Sequence, residues 1–227
     1  MTTTLDQQFL IAIVLLATFS GGLIAGLFVQ KEYSYRYRYR LRIRQNQGEA
    51  TVRKIVKANF EPPEFHLLNN ITLPVQDETT QIDHILISTK GVFVIETKNY
   101  SGWIFANKKS RQWTRVHFRV KNQFQNPIYQ NYKHVKVIQD LLEFVPKEQI
   151  HSIVVFTGTA EFKTTMPEGA IQHNQLGDYI RAFQEDVLSA NRVQFCVGRL
   201  ECKRYAVTLK TDLEHLAYLE KKFENRE

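Results

Sequence analysis

Residues 81–100, QIDHILISTKGVFVIETKNY, decide the fold. Two runs rich in β-branched residues, 81–88 and 92–98, flank Thr89-Lys90-Gly91, where glycine supplies the positive φ that a short hairpin loop needs. Three ionisable residues interrupt the apolar pattern: Asp83, Glu96 and Lys98. Side chains alternate along a strand, so Val92, Val94, Glu96 and Lys98 share one face while Phe93, Ile95 and Thr97 share the other. Glu96 and Lys98 then stand about 6.5–7 Å apart. Pairing centred on Lys90 sets Asp83 opposite Thr97, one residue from Glu96. Two carboxylates this close in an apolar sheet raise each other's proton affinity unless a cation neutralises them. Mg²⁺ or Mn²⁺ does so with oxygen ligands from one or two carboxylates plus substrate phosphate. The lysine adds a positive centre that can orient water or stabilise negative charge. The same spacing also fits a surface ion pair worth less than about 1 kcal/mol, so spacing alone leaves both readings open.

Outward from the hairpin, the pattern predicts a helix over 46–58, ended by Pro62 and Pro63, and a strand over 65–73. Downstream, SGWIFAN and RQWTRVHFRV predict a second hairpin with Trp103 and Trp113 in its core, the alternative being base-stacking platforms. Asn126 suits a helix N-cap and Pro127 the first helical position. Ile128, Tyr132, Val135, Ile138, Leu142 and Val145 then recur at helical spacing. A buried strand over 150–158, a helix over 176–188, a strand over 193–197 and a last helix over 212–223 complete the order. This mixture predicts an α/β sheet flanked by helices.

The chain has 227 residues and a net charge of +7, a balance that invites a nucleic-acid reading. Residues 31–57 hold nine Lys/Arg and two acids, which is the whole excess. The remainder has 21 basic and 21 acidic residues. Cys196 and Cys202 are too few for a disulfide framework and read as free thiols on one face of a strand. No phosphate-binding glycine loop, nucleophile elbow or zinc-protease helix is present.

Residues 9–29, FLIAIVLLATFSGGLIAGLFV, carry no charge and would span roughly 30 Å as a helix, the thickness of a bilayer core. A cleaved signal would need a basic leader, and MTTTLDQQ has none. The expectation is an uncleaved transmembrane helix, amino terminus outside and globular part cytoplasmic, in an inner or plasma membrane. YSYRYRYRLRIR follows, and Arg36–Arg44 suit anionic lipid headgroups, although alternating Tyr and Arg would also suit phosphates. Gly22 and Gly26 are spaced for helix pairing, hence a possible homo-oligomer. The expected division is an anchor (1–30), a basic linker (31–47), a main domain (48–158) that carries the central hairpin, and a C-terminal α/β extension packing on it (159–227).

TTQIDHILISTKGVFVIETKNYSGWIF, with the upstream Gln47-Gly48-Glu49 and the downstream FQNPIYQNYKHV, resembles the nuclease-related domain (NERD) family, itself similar to the PD-(D/E)-x-K restriction-endonuclease-like superfamily. The resemblance implies a restriction-endonuclease-like mixed sheet flanked by helices. It implies that Asp83 and Glu96 bind metal, with the Thr97 carbonyl as a further ligand, that Lys98 is the motif lysine, and that Glu49 completes the centre. Ile82 stands where the superfamily usually has proline. Gln125 and Tyr129 fit a Q-x-x-x-Y spacing seen in related nucleases and, with Gln130, are candidate nucleic-acid contacts at a helix N-terminus. Gln81 and His84 are expected to point away from the site. The expected function is Mg²⁺- or Mn²⁺-dependent phosphodiester hydrolysis of nucleic acid, DNA in the first instance. The alternative is a non-catalytic nucleic-acid or protein-binding module at the membrane, which the neutral count of the globular part favours.

Overall fold

A computed structural model describes residues 47–75, 78–206, 211 and 215. The predicted membrane span, the arginine-rich linker and most of the predicted last helix lie outside them. Among the described residues no helix is long and apolar enough to cross a membrane. The chain divides after Arg44, and the described residues belong to the second unit.

Helix α1 covers residues 47–59 and stops before the Pro62-Pro63 turn. Strands β1 (Phe65–Val75), β2 (Glu78–Ser88) and β3 (Gly91–Lys98) follow as an antiparallel meander. A second sheet comes next, from β4 (Gly102–Phe105), β5 (Gln112–His117) and β6 (Val120–Gln125). Helix α2 (Pro127–Leu141) returns the chain to β7 (Ile150–Phe156), which pairs parallel with β3. Strands β8 (Ala160–Phe162) and β9 (Ala170–Gln172), α3 (Leu176–Arg181) and α4 (Ala190–Lys203) complete the described part. The strand orders are β1-β2-β3-β7-β9 and β6-β5-β4-β8.

The five-stranded sheet is covered on both faces. Val52 and Val56 of α1 and Leu176 and Ile180 of α3 pack with Leu86, Phe93, Ile95 and Ile153. Val135 and Ile138 of α2, Leu142 at its C-cap, and Val193, Cys196 and Leu200 of α4 pack with Ile85, Val92 and Val94 on the other face. Burial of both faces explains why β3 reads as a nearly unbroken apolar run. The C-terminal α4 therefore shares its core with the central hairpin.

Several elements differ from the sequence pattern. The central hairpin turns on two residues: Ser88 pairs with Gly91, so Gly91 belongs to β3 and the register shifts by one. RQWTRVHFRV is a hairpin in itself, turning at Phe118-Arg119, with φ of 52° at Phe118. Trp113 is buried as expected, whereas Trp103 is 50% exposed on the opposite face of the sheet. Residues 193–197 are helical. Ser189 caps α4 by accepting from Arg192 N, and Val193, Cys196 and Leu200 recur at helical spacing. Cys196 and Cys202 are free, but one is buried and the other exposed. Helix α3 ends at Arg181 rather than continuing to Leu188, and Tyr132 of α2 points outward.

Gly48 fixes how α1 meets the sheet. A Cβ there would come within 2.7 Å of Thr157 Oγ1 and 2.8 Å of Asn99 Cβ, just beyond the ends of β7 and β3. This contact brings the next residue, Glu49, to the same end of the sheet. Gly48→Ala is expected to cost roughly 1–3 kcal/mol by overpacking, seen as a lower urea midpoint.

Candidate metal centre

The two-residue turn places the charges closer than the sequence pattern did. Counting on from the His84–Ile95 pair, Asp83 stands directly across from Glu96 and shares its face. At this point the ladder between β2 and β3 opens. The Asp83 carboxylate, through Oδ2, accepts the Thr97 N–H at 2.7 Å. A side chain thus takes the place of a strand partner. N–H and C=O of one strand residue leave on the same edge, so the Thr97 carbonyl also points toward Asp83.

An irregularity on the other side of Asp83 accompanies the opening. Asn70, across from Asp83 in β1, has φ of 50°. Leu68 and Ile71, three apart, lie in the same core cluster, as do Ile82 and Ile85. The alternation therefore slips by one residue in both strands at the level of Asp83, with the register unchanged on either side. His84 falls on the α1 side, where its Nδ1 meets Asn69 Oδ1 at 2.7 Å. Burial above all, and then Arg53, lowers its pKa to about 4. His84 points away from the carboxylate face, as expected.

Helix α2 supplies the rest of the site. Lys98 Nζ lies 2.6 Å from Glu96 Oε1 and donates to Gln130 Oε1 at 3.0 Å. His134, one turn beyond Gln130, places Nε2 3.4 Å from Glu96 Oε2, while its Nδ1 meets Thr80 Oγ1 at 2.9 Å. His134 was not among the residues singled out from sequence. The available signal was its i, i+4 spacing from Gln130, which puts both on one helix face.

Asn131 holds the helix in place. Its buried amide donates to the Val94 carbonyl at 2.9 Å, Ser152 Oγ at 2.8 Å and the Ile153 carbonyl at 3.2 Å. Asn126 caps α2 as predicted, accepting from Ile128 N at 3.0 Å. Asn131→Ala leaves buried carbonyls without their donor. It is expected to lower stability by roughly 2–4 kcal/mol, measured by denaturant unfolding.

The two carboxylates titrate in opposite directions. Burial pushes the Asp83 carboxyl up, and the charges of Glu96 and then Glu49 push it further, against a smaller pull from Lys98. For Glu96, burial is outweighed by Lys98 and His134 together, and its pKa falls to about 2. Burial opposes the charge on Lys98, but Glu96 and then Tyr100 overcome it and raise its pKa, so the ammonium persists. Its depressed pKa makes Glu96 a source of stability above about pH 4.5, lost as pH falls toward 2.

Among the described residues, no three or more His, Cys, Asp or Glu side chains form a ready-made metal cluster. The donors nonetheless fit a hard divalent cation of the Mg²⁺ type. Such an ion takes one or two carboxylates and completes its shell with water and phosphate. Asp83, Glu96 and the Thr97 carbonyl would hold it, and the raised proton affinity of Asp83 marks where positive charge is wanted. Glu49 approaches from α1 closely enough to act on Asp83 electrostatically. Of the candidate nucleic-acid contacts, Gln130 joins the site through Lys98, whereas Gln125 and Tyr129 stand exposed on β6 and α2.

Asp83 and Glu96 thus stand across an opened hairpin, with Lys98 two residues beyond Glu96. The family model for the nuclease-related domain (NERD) matches residues 44–157. The chain belongs to that family. It is 35% identical over 185 residues to an uncharacterized protein of Bacillus anthracis, covering 78% of this chain and 84% of the relative. No solved structure matches.

Proposed function

We propose that this chain is a membrane-anchored, Mg²⁺- or Mn²⁺-dependent nuclease that hydrolyses phosphodiester bonds, DNA being the first substrate to test. The observation that carries this is the Asp83–Glu96–Lys98 group. Glu96 is held ionised by Lys98 and His134, while Asp83 across from it is pushed toward protonation by burial and by Glu96. When bound there, the cation would polarise a phosphoryl oxygen and offset the charge of both carboxylates. Thr97 N–H fixes the Asp83 carboxylate, and Gln130 and Glu96 fix the Lys98 ammonium. With its raised pKa, Lys98 is a hydrogen-bond donor to attacking water or to a phosphate oxygen, not a proton acceptor. The anchor rests on residues 9–29 and the neighbouring arginines.

The test is cleavage of single- and double-stranded DNA and of RNA by the full chain in neutral detergent. Cleavage is expected with Mg²⁺ or Mn²⁺ and none with a chelator. Equal cleavage in both conditions, or none with any substrate and either metal, counts against the proposal.

A further inference from the structure

The near balance beyond residue 57, 21 basic against 20 acidic residues, hides a strong asymmetry. Between Glu96 and Asp140 stand nine Lys/Arg and no Asp or Glu. This block is strands β4 to β6 of the second sheet together with most of α2. Lys108, Lys109, Arg111 and Arg119 are exposed on the loops and hairpin tip of that sheet, and Lys121 is exposed on β6.

The same block exposes apolar rings. Of the eight exposed large hydrophobic side chains among the described residues, six lie between Trp103 and Tyr132. Water-facing rings in a basic field are what unpaired bases require, because stacking needs a π-face and the backbone needs cations.

The strand register collects these groups on one face. Trp103 pairs with Val116, which pairs with Lys121; Phe105 pairs with Thr114, which pairs with Gln123; and Gln112 pairs with Gln125. Paired residues share a face, so Trp103, Phe105, Lys121, Gln123 and Gln125 point the same way. Trp113, Ile104 and Phe162 fill the opposite, buried face. Trp103 is 50% and Phe105 40% exposed, about 6.5–7 Å apart along β4. Lys163 Nζ stands 4.9 Å from the Trp103 ring centroid while pairing with Glu161.

The sheet is also tied to the metal centre at both ends. Strand β4 starts shortly after Lys98, and β6 runs into the helix that carries Gln130.

We infer that the outer face of the β4–β5–β6–β8 sheet binds single-stranded nucleic acid by stacking bases on Trp103 and Phe105. The inference rests on the proposed nuclease reading for its choice of ligand. It adds the surface, the strandedness and the residues. Gln123 and Gln125 offer amide donors and acceptors to the base edges, and the surrounding lysines and arginines hold the phosphates.

Trp103 and Trp113 are the two tryptophans of the chain, one exposed and one buried, so intrinsic fluorescence reads this surface directly. The full chain in neutral detergent is titrated with a thymidine oligonucleotide in chelator, and binding is followed by anisotropy and tryptophan emission. Emission is expected to be quenched, and the Trp103→Phe variant to lose the quench while keeping its affinity. Trp103→Ala and Phe105→Ala are each expected to weaken binding roughly ten-fold. The emission of Trp113 reports that the fold is intact. Unchanged affinity in the alanine double variant, absence of quenching, tighter binding of duplex, or no binding of any oligonucleotide overturns the inference. Metal-dependent cleavage with wild-type affinity in the double variant overturns the surface and leaves the nuclease reading standing. Stacking on Trp103 without cleavage does the reverse.

Discussion

Glu96→Gln is expected to lower metal-dependent cleavage by at least about a thousand-fold, with little change in far-ultraviolet circular dichroism. The glutamine keeps the shape of the side chain and an oxygen for Lys98, which retains Gln130 as a second partner. What is lost is the charge that Lys98 and His134 hold in the ionised form. A neutral amide is a far weaker ligand for a hard cation than a carboxylate. Electrostatic stabilisation at such centres carries several kcal/mol of the barrier, each 1.36 kcal/mol being ten-fold in rate. Lys98→Met is expected to give a similar loss of rate with metal binding retained. That variant strands the Glu96 carboxylate and should cost about 3–5 kcal/mol in stability, so it is the less clean of the two. Cleavage rates and metal affinities of both variants distinguish ligand from positioning group.

Asp83→Asn is expected to abolish cleavage while making the metal-free protein more stable. The Asp83 carboxyl is pushed up by burial and by the charges of Glu96 and Glu49, so its ionisation opposes folding. Its contribution to stability is full below the ordinary value of 3.8 and is lost as pH rises toward the raised folded value. Glu96 has the opposite sign, since its contribution disappears as pH falls. Asparagine keeps an oxygen for the Thr97 N–H and removes the repulsion. The gain at neutral pH should be on the order of 1 kcal/mol or more, roughly 2–4 °C in Tm for a domain of this size. Thermal unfolding in chelator, from pH 4 to pH 8, should show the wild type losing stability that the variant keeps. Equal stability of the two proteins across that range would mean that Asp83 carries no such strain. A gain in stability with loss of activity is the usual signature of a functional group held against its preference.

The central hairpin was legible because local pattern and burial agree there. Both strands are rich in β-branched residues, and one glycine marks the turn. The register was not legible, because glycine in Thr89-Lys90-Gly91 fits either a loop or a strand end. Gly91 is required by tertiary packing: a Cβ would meet the Gln149 carbonyl at 2.8 Å and His151 Nε2 at 2.9 Å. That one-residue difference sets Asp83 opposite Glu96 rather than Thr97.

The start of α2 was equally legible, since an N-cap and a first-turn proline act locally. His134 was not, because its contact with Glu96 arises where a helix crosses a sheet; its i, i+4 spacing from Gln130 puts both on one helix face but does not say what that face meets. Helix α4 was misread because VQFCV alone mimics a buried strand; its 3.6-residue period emerges only with Leu200 included. The second sheet was read as one hairpin because its β5–β6 turn uses Phe118-Arg119, with none of the usual turn residues.

The central claim is that Asp83 and Glu96 together form a site for a divalent cation. Calorimetric titration of the full chain with Mn²⁺ tests it most directly, comparing wild type, Asp83→Asn and Glu96→Gln. The expected result is saturable binding to wild type that both variants lose. Binding of equal affinity in all three proteins, or no binding to wild type, would contradict the account.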